Sequence, residues 1–469
     1  MAQAFLEAKR PEDKPLWASY PSGYDAPPTE GSVGRSSGGG AQKRTRCLLV
    51  LRQLYGLHDA PMGFFMVLRQ HLVKDQGFIQ SLNDRCLFVK YKAGSDSERK
   101  HIEGHEPKMA ANLAYHAPET WGDIEVAVAV HVDDIASTGE DKAVGEYRKR
   151  LHERFPCTGG SITEYYGLDV GVDRKRGVVR LRTQSYIGRM LHKLGITTAP
   201  KTFSPMDPDL ELPKLTGECK QKALHARYRT VVGSVLHAAV TARPDVAEAA
   251  RCLSSHLQHP GEVHLKAALR VVYYLATTRE LALTYGLHRN ESGFYGTSDA
   301  SHATESGAKG VTGWAFHLAG GAVAWKARTQ SLVALSSTEA ELIAVDEAAR
   351  ELRYLEKVLA DLGIKAPRPT PMGQDNMSAI SIVGSTHFNP RSRHIALRYH
   401  STGDMQRAGV LQVRYLPTEH IPSDALTKGL PRAAHQRHTL VLLGISALKW
   451  DQRVHEKKQQ QLLKVTLGQ

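Results

Sequence analysis

Cysteine is scarce in this chain of 469 residues. There are five, Cys47, Cys86, Cys157, Cys219 and Cys252, scattered and odd in number. That excludes a disulfide framework and points to reduced, intracellular thiols, without separating cytoplasm from nucleus. Long apolar runs are missing as well. No stretch approaches the roughly 18 apolar residues that would suggest a membrane span. The first residues, MAQAFLEAKRPEDK, lack the apolar core of a secretory signal. No internal repeat is visible.

What is present is a basic, globular composition. The length suffices for two or three domains with cores of their own, and the 41% hydrophobic content fits a globular rather than a disordered chain. Lys and Arg number 61 against 48 Asp and Glu, an excess of +13 that favours a polyanionic partner. Histidine pairs with metal-like spacing, His256/His259 and His435/His438, have no cysteine partners nearby and read as core or solvated side chains.

Along the chain, residues 1–30 are polar and Pro-rich, and 31–44 form a flexible basic loop. A strand is expected at 47–51, a helix starting near Pro61, and a strand at 86–92. Residues 93–123 read as a loop or insertion. EVAVAVHVDDIAST (125–138) predicts a hairpin with Asp133-Asp134 near its turn. A helix over 141–155, two strands within 165–183 and an amphipathic helix over 185–196 with Gly195 as its stop follow. Residues 226–258 and 261–278 read as helices, with Pro244 and Pro260 marking starts or breaks.

The stretch from Phe294 to Ala344 organises the remainder. Asp299 closes one strand pattern, two more strands follow, and Glu341 enters a helix. Asp375 follows a further short strand, and Asp424 sits in IPSDALTKGL. Phosphodiester hydrolysis needs an activated water and relief of charge on the leaving oxygen, which two cations about 3.5–4 Å apart supply. Magnesium, or manganese in its place, prefers carboxylate oxygens, so acids arriving from several elements are the expected host. Each acid also has a plainer reading. Asp299 can be a turn residue, Asp375 an Asx-turn, and Asp424 a first-turn acid with Ser423 as cap. Glu341 sits among two overlapping capping boxes, Ser336/Glu339 and Thr338/Glu341. If Ser336 caps, Glu341 is free to face a sheet, and the stripe Leu342, Val345, Ala349, Leu352, Leu355 and Leu359 packs the helix there.

Several segments are similar to copia-type LTR retrotransposon polyproteins. TSDASHA, AVAWKARTQSLVALSSTEAELIAVDEAARELRYL, QDNMSAI, NPRSRHIALRYHS and LPTEHIPSDALTKGL resemble their ribonuclease H region. LRQLYGLHDAPMGF, DRCLFV, VAVHVDDIASTG, YYGLDV, YRTVVGSVLHAAVTARPDVAEAA and HLKAALRVVYYL resemble their reverse transcriptase and connecting segments. The resemblance is collinear from Met1 to about Leu430.

It implies an α/β (α+β) chain. A truncated palm and thumb-like region would occupy 1–200 and a helical connection 201–290. An RNase H-like mixed five-stranded sheet with helices on both faces would occupy 291–430; beyond the resemblance, residues 431–469 read from the sequence as a helix and polar tail. The implied catalytic metal ligands are Asp299, Glu341, Asp375 and Asp424, the cofactor Mg2+, and the substrate the RNA strand of an RNA–DNA hybrid. Arg391, Arg393, His394 and Arg398 fall in the family's basic segment and imply backbone contacts. His420, in the loop before Asp424, would assist product release or proton transfer.

Asp133 and Asp134 match the palm's hairpin pair. Ala4-Phe5-Leu6 matches the end of its earlier motif, but the aspartate of that motif would fall before Met1. DNA synthesis is therefore not expected of this chain alone. A non-catalytic nucleic-acid-binding remnant is the alternative to the nuclease. No membrane partner is implied, and the oligomeric state is open.

Overall fold

The computed structural model describes residues 60–94, 123–208, 210–216, 222–287, 293–302, 309–385 and 401–448. It also describes the backbone of two antiparallel strands, β1 (Leu16–Ser19) and β2 (Cys47–Val50). The chain divides into two compact units, Met1–Gly160 with Asp361–Gly363, and Ser161–Ala360 with Ile364–Gln469.

In the first unit, α1 (Ala60–Gln70) continues into a π-turn, His71–Asp75. Spacing by four puts Phe64, Leu68 and Leu72 on one buried stripe. The stripe meets an antiparallel sheet of β3 (Ile79–Gln80), β4 (Leu87–Tyr91), β5 (Ile124–His131) and β6 (Asp134–Gly139), in that order. Val126, Val128 and Val130 alternate into the same core, and α2 (Asp141–Arg154) adds Tyr147 and Leu151. β5 and β6 form the expected hairpin. His131 pairs with Asp134, leaving Val132 and Asp133 as the turn.

The second unit begins with an antiparallel ribbon, β7 (Glu164–Tyr165), β8 (Leu168–Asp173) and β9 (Val178–Arg182). It is followed by α3 (Gln184–Lys193). Gly195, at φ +69°, ends that helical stretch where a side chain would be strained. Three helices come next, α4 (Lys222–Thr241), α5 (Ala247–Ser254) and α6 (Glu262–Thr277). Pro244 opens a 3-10 turn and splits the pattern read over 226–258 into two helices. Tyr228, Val231, Val235, Leu253, Val271 and Leu275 form their shared core. β10 (Ala282–Tyr285) then pairs with β9.

The largest sheet holds β11 (Tyr295–Ser301), β12 (Val311–Leu318), β13 (Gly321–Thr329), β14 (Thr370–Gln374) and β15 (Leu411–Tyr415). Its order is β13-β12-β11-β14-β15. The first three strands are antiparallel, and β14 and β15 join in parallel. Side-chain parity divides its two faces. Trp314, Phe316 and Met372 pack under α7 (Ser337–Asp361) and α8 (Met377–Gly384). Ala315 faces the other way, against Leu426 and Leu442, the latter in α9 (Arg432–Leu442). A mixed five-stranded sheet covered on both faces is the RNase H-like arrangement that the resemblance implied.

Candidate metal centre

Parallel pairing sets two carboxylates at one height. β11 and β14 pair Gly296 with Met372 and Thr297 with Gly373. Two residues further along each chain stand Asp299 and Asp375. Asp299 lies inside β11, with Ala300 and Ser301 still to follow, so it does not close the strand. Asp375 leaves the end of β14, and its Oδ2 accepts a hydrogen bond from Thr418 Oγ1 at 2.7 Å. The Asx-type turn here belongs to Asn376, whose Oδ1 accepts from Ala379 N at 3.0 Å and caps α8.

The third carboxylate comes from the start of α7. Ser336 Oγ accepts from Glu339 N at 3.1 Å, so Ser336 caps as expected. The Glu339 carboxylate accepts from Leu335 N at 2.7 Å, so the reciprocal bond closes on the residue before the cap. Gln330 ties this turn to the sheet, donating to Ala340 O at 3.0 Å and Thr312 Oγ1 at 3.1 Å. Glu341 is left free of capping and accepts from Gln374 Nε2 at 3.1 Å.

One oxygen from each of Asp299, Glu341 and Asp375 lies within 4.8 Å of the other two. Among the described residues no other group of three His, Cys, Asp or Glu side chains comes so close.

Asp424 stands beside this group. It lies in a 3-10 turn, Pro422–Leu426, flanked by Ile421, so Ser423 is not its cap. Ser423 is fully buried and shares a 2.6 Å hydrogen bond with Thr297 Oγ1 on β11. That bond pins the turn to the strand carrying Asp299. Gly313, paired with Asp299 across β11 and β12, makes the approach possible. A Cβ there would meet Thr427 Cγ2 at 2.7 Å, Leu426 Cβ at 2.8 Å and Ser423 O at 2.9 Å. Thr427 Oγ1 then reaches Asp299 Oδ2 at 2.6 Å. Lys428 Nζ sits 2.6 Å from Asp424 Oδ1, and His438 Nε2 is 3.9 Å from its Oδ2.

The electrostatics follow from burial. Asp299 is held well above the usual carboxylate range by burial, then by the charge of Asp424, against the Thr427 hydrogen bond. Burial, then Asp299 and Asp375, raises Glu341 further. Burial raises Asp424 too, partly offset by Lys428. His438 is pushed down to about 4 by burial and the neighbouring Arg437, so it is neutral near pH 7. Hard oxygen donors from the buried Asp299 and Glu341 and the partly buried Asp375 fit a divalent cation such as Mg2+ or Mn2+. Asp299, Glu341 and Asp375 would hold it, with Asp424 at their flank.

The remaining candidates lie elsewhere. Asp133 and Asp134 belong to the hairpin of the first unit, where Val132 takes a positive φ of 55°. Arg391, Arg393, His394 and Arg398 fall outside the described residues, as does the Ala4-Phe5-Leu6 motif. His420 ends a short 3-10 turn, Thr418–His420. His435 and His438 are buried, as the core reading of that pair has it, and His435 Nε2 lies 3.0 Å from Asp245 O. Gln374, Thr427, Lys428 and Gly313 were not singled out from the sequence. The first three adjoin predicted acids in QDN and SDALTK, so proximity in the chain was the available signal.

No family model matches the chain. Curated relatives do. The retrovirus-related Pol polyprotein from transposon TNT 1-94 of Nicotiana tabacum is 29% identical over 81% of this chain and 27% of its own length. That from transposon RE1 of Arabidopsis thaliana is 29% identical over 82% and 24%. The putative transposon Ty5-1 protein of Saccharomyces cerevisiae is 29% identical over 59% of this chain and 99% of itself. The chain thus spans about a quarter of the two plant polyproteins.

Among solved structures, the foamy viral protease-reverse transcriptase in complex with RNA/DNA hybrid matches at TM-score 0.38 and 11% identity. That match covers 79% of this chain and 39% of the viral one. LC11-RNase H1, isolated from compost, matches at TM-score 0.24 and 14% identity, over 29% and 93%. The 29% identity to the plant transposon polyproteins over about four-fifths of the chain is consistent with a fragment of a copia-type retrotransposon Pol polyprotein, which this chain resembles.

Proposed function

We propose that the second unit hydrolyses the RNA strand of RNA–DNA hybrids, using a divalent cation held by Asp299, Glu341 and Asp375. The observation that carries this reading is the meeting of those three carboxylates, each delivered by a different element. A bound cation supplies Lewis-acid polarisation of the phosphate and an activated water. The protein's part is orientation. Thr427 fixes Asp299, Gln374 fixes Glu341, and Thr418 fixes Asp375. Lys428 offsets the charge of Asp424 and presents a half-exposed ammonium beside the acids, suited to a phosphate oxygen. The basic segment with Arg391, Arg393, His394 and Arg398 is proposed to hold the nucleic-acid backbone.

A cleavage assay on a labelled RNA–DNA hybrid with Mg2+ tests this. Wild type is expected to cut the RNA strand, and Asp299→Asn to reduce cutting at least about a hundredfold, since loss even of groups outside the ligand shell costs 10–100-fold. Binding without cutting by the wild type would overturn the nuclease and favour a non-catalytic nucleic-acid-binding protein.

A further inference from the structure

We propose that Gln374 is a positioning residue that sets the Glu341 carboxylate for cation binding and locks it to the turn carrying Asp375. The inference rests on the metal reading above and deepens it. Gln374 is fully buried at the end of β14. Its Oε1 accepts two backbone N–H groups, Asp375 N at 2.7 Å and Asn376 N at 3.0 Å. Those bonds fix which end of the amide is which, because an amide nitrogen cannot accept them. Nε2 is therefore forced to be the donor, and it faces Glu341 Oε2 at 3.1 Å and Ser298, with Oγ at 3.4 Å and O at 3.5 Å.

One side chain thus touches all three elements that bring the acids. It binds the backbone of Asp375, the carboxylate of Glu341, and the residue next to Asp299. Of the two Glu341 oxygens it occupies Oε2, so the carboxylate cannot rotate freely. A preset carboxylate loses less freedom when a cation binds, which is the usual route by which groups outside the ligand shell tune affinity. A purely packing role would need an apolar side chain of this size and no oriented amide.

The test is Mn2+ affinity, read from water-proton relaxation, which also registers weak binding. Gln374→Asn is the chosen variant. Asparagine at 374 can still accept from the N–H two residues on, as in an Asx-turn, but its donor is withdrawn from Glu341. Binding at least about tenfold weaker is expected. In a Glu341→Ala background, which leaves no acceptor for Gln374 Nε2, the same substitution is expected to change affinity less than about twofold, because the group it acts through is gone. Gln374→Met serves as a second variant and should weaken Mn2+ likewise. The metal-free thermal midpoint is measured alongside, so that folding loss is separated from affinity loss. Unchanged Mn2+ affinity in either folded variant, or an equal loss with and without Glu341, overturns the inference and leaves the metal reading standing. A folded wild type that binds no Mn2+ overturns both.

Discussion

Two aspartates in the second unit are equally hidden and oppositely treated. Asp245 is 1% exposed and Asp299 is 2% exposed. Arg243 grips Asp245 with two bonds, at 2.9 and 2.7 Å, and Tyr274 Oη donates to it at 2.7 Å. Burial alone would raise Asp245, but the Arg243 charge and these hydrogen bonds outweigh it and hold the carboxyl below its ordinary value. Asp299 receives one hydroxyl, from Thr427, and burial with the charge of Asp424 outweighs both that bond and the Lys428 ammonium, which is paired to Asp424. Among the described residues no Lys, Arg or His nitrogen lies within ion-pair distance of Asp299, Glu341 or Asp375. The lesson is that burial does not distinguish structure from function. The supply of counter-charge does. A buried acid that the chain has paired holds helices together, and buried acids left without a salt-bridge partner are where the proposed cation would bind.

The largest effect should come from breaking the paired site. Arg243 is fully buried and also donates to Thr278 Oγ1 at 2.7 Å, so it joins the 3-10 turn after α4 to the end of α6. Arg243→Met strands Asp245 as an uncompensated buried charge. The cost should be about 3–5 kcal/mol, read from denaturant midpoints at constant m.

Next is the backbone approach that builds the unpaired site. Gly313→Ala puts a methyl group against Thr427, Leu426 and the Ser423 carbonyl, all closer than 3.0 Å. The 422–427 turn must move, at about 1–3 kcal/mol. Hybrid cleavage should fall more than stability does, because Thr427 and Asp424 leave with the turn. Full activity in a folded Gly313→Ala protein would show that the turn is not part of the site.

A smaller effect of opposite sign separates the two sites further. Glu341→Gln removes a group that ionises in the unfolded chain but must hold a proton when buried, and keeps an oxygen for Gln374. In metal-free protein at pH 8 it should stabilise by about 1 kcal/mol, the scale of one pKa unit. The wild type should show the matching pH dependence. Unfolded carboxylates ionise near pH 4, whereas Asp299 and Glu341 retain protons until about 7 and about 9. The native state binds more protons across that window, so metal-free stability should fall as pH rises from 4 toward 9. Mg2+ or Mn2+ should reduce the fall, since binding needs the ionised acids. Asp245 works the other way. Its contribution is present above the unfolded value near 4 and is lost as pH drops below it. A thermal midpoint that rises steadily from pH 5 to 9 without metal would contradict the unpaired cluster.

Why some of this was legible from the residues alone can be traced element by element. β5 and β6 and α7 announce themselves because hydrophobic period reports burial directly. The approach of Asp299 to Asp375 depends on the parallel register of β11 and β14, which no local pattern encodes. Their order along the chain, a strand acid, a helix acid, a second strand acid and a late helix-start acid, grouped them, and the collinear resemblance then implied the same four. Gly313 and Gln374 stayed hidden for a related reason. Their roles are defined by residues 114 and 33 positions away, Thr427 and Glu341, and neither side chain is unusual in its own neighbourhood. Ser423 was misread as a cap because its partner, Thr297, lies 126 residues back on β11.

The smallest expected effect concerns the third acidic pair, which sharpens the comparison by contrast. Asp133 sits in the β5–β6 turn, partly exposed. Asp133→Asn should change stability by less than about 0.5 kcal/mol, the usual range for surface positions. It should leave Mg2+-dependent hybrid cleavage within about twofold, because the proposed nuclease ligands all come from the second unit. Measured beside Asp299→Asn in one assay, the pair of variants asks whether acidity alone or buried, unpaired acidity marks the working site. A comparable loss in both would mean that the counter-charge argument fails and that the hairpin pair contributes to the same chemistry.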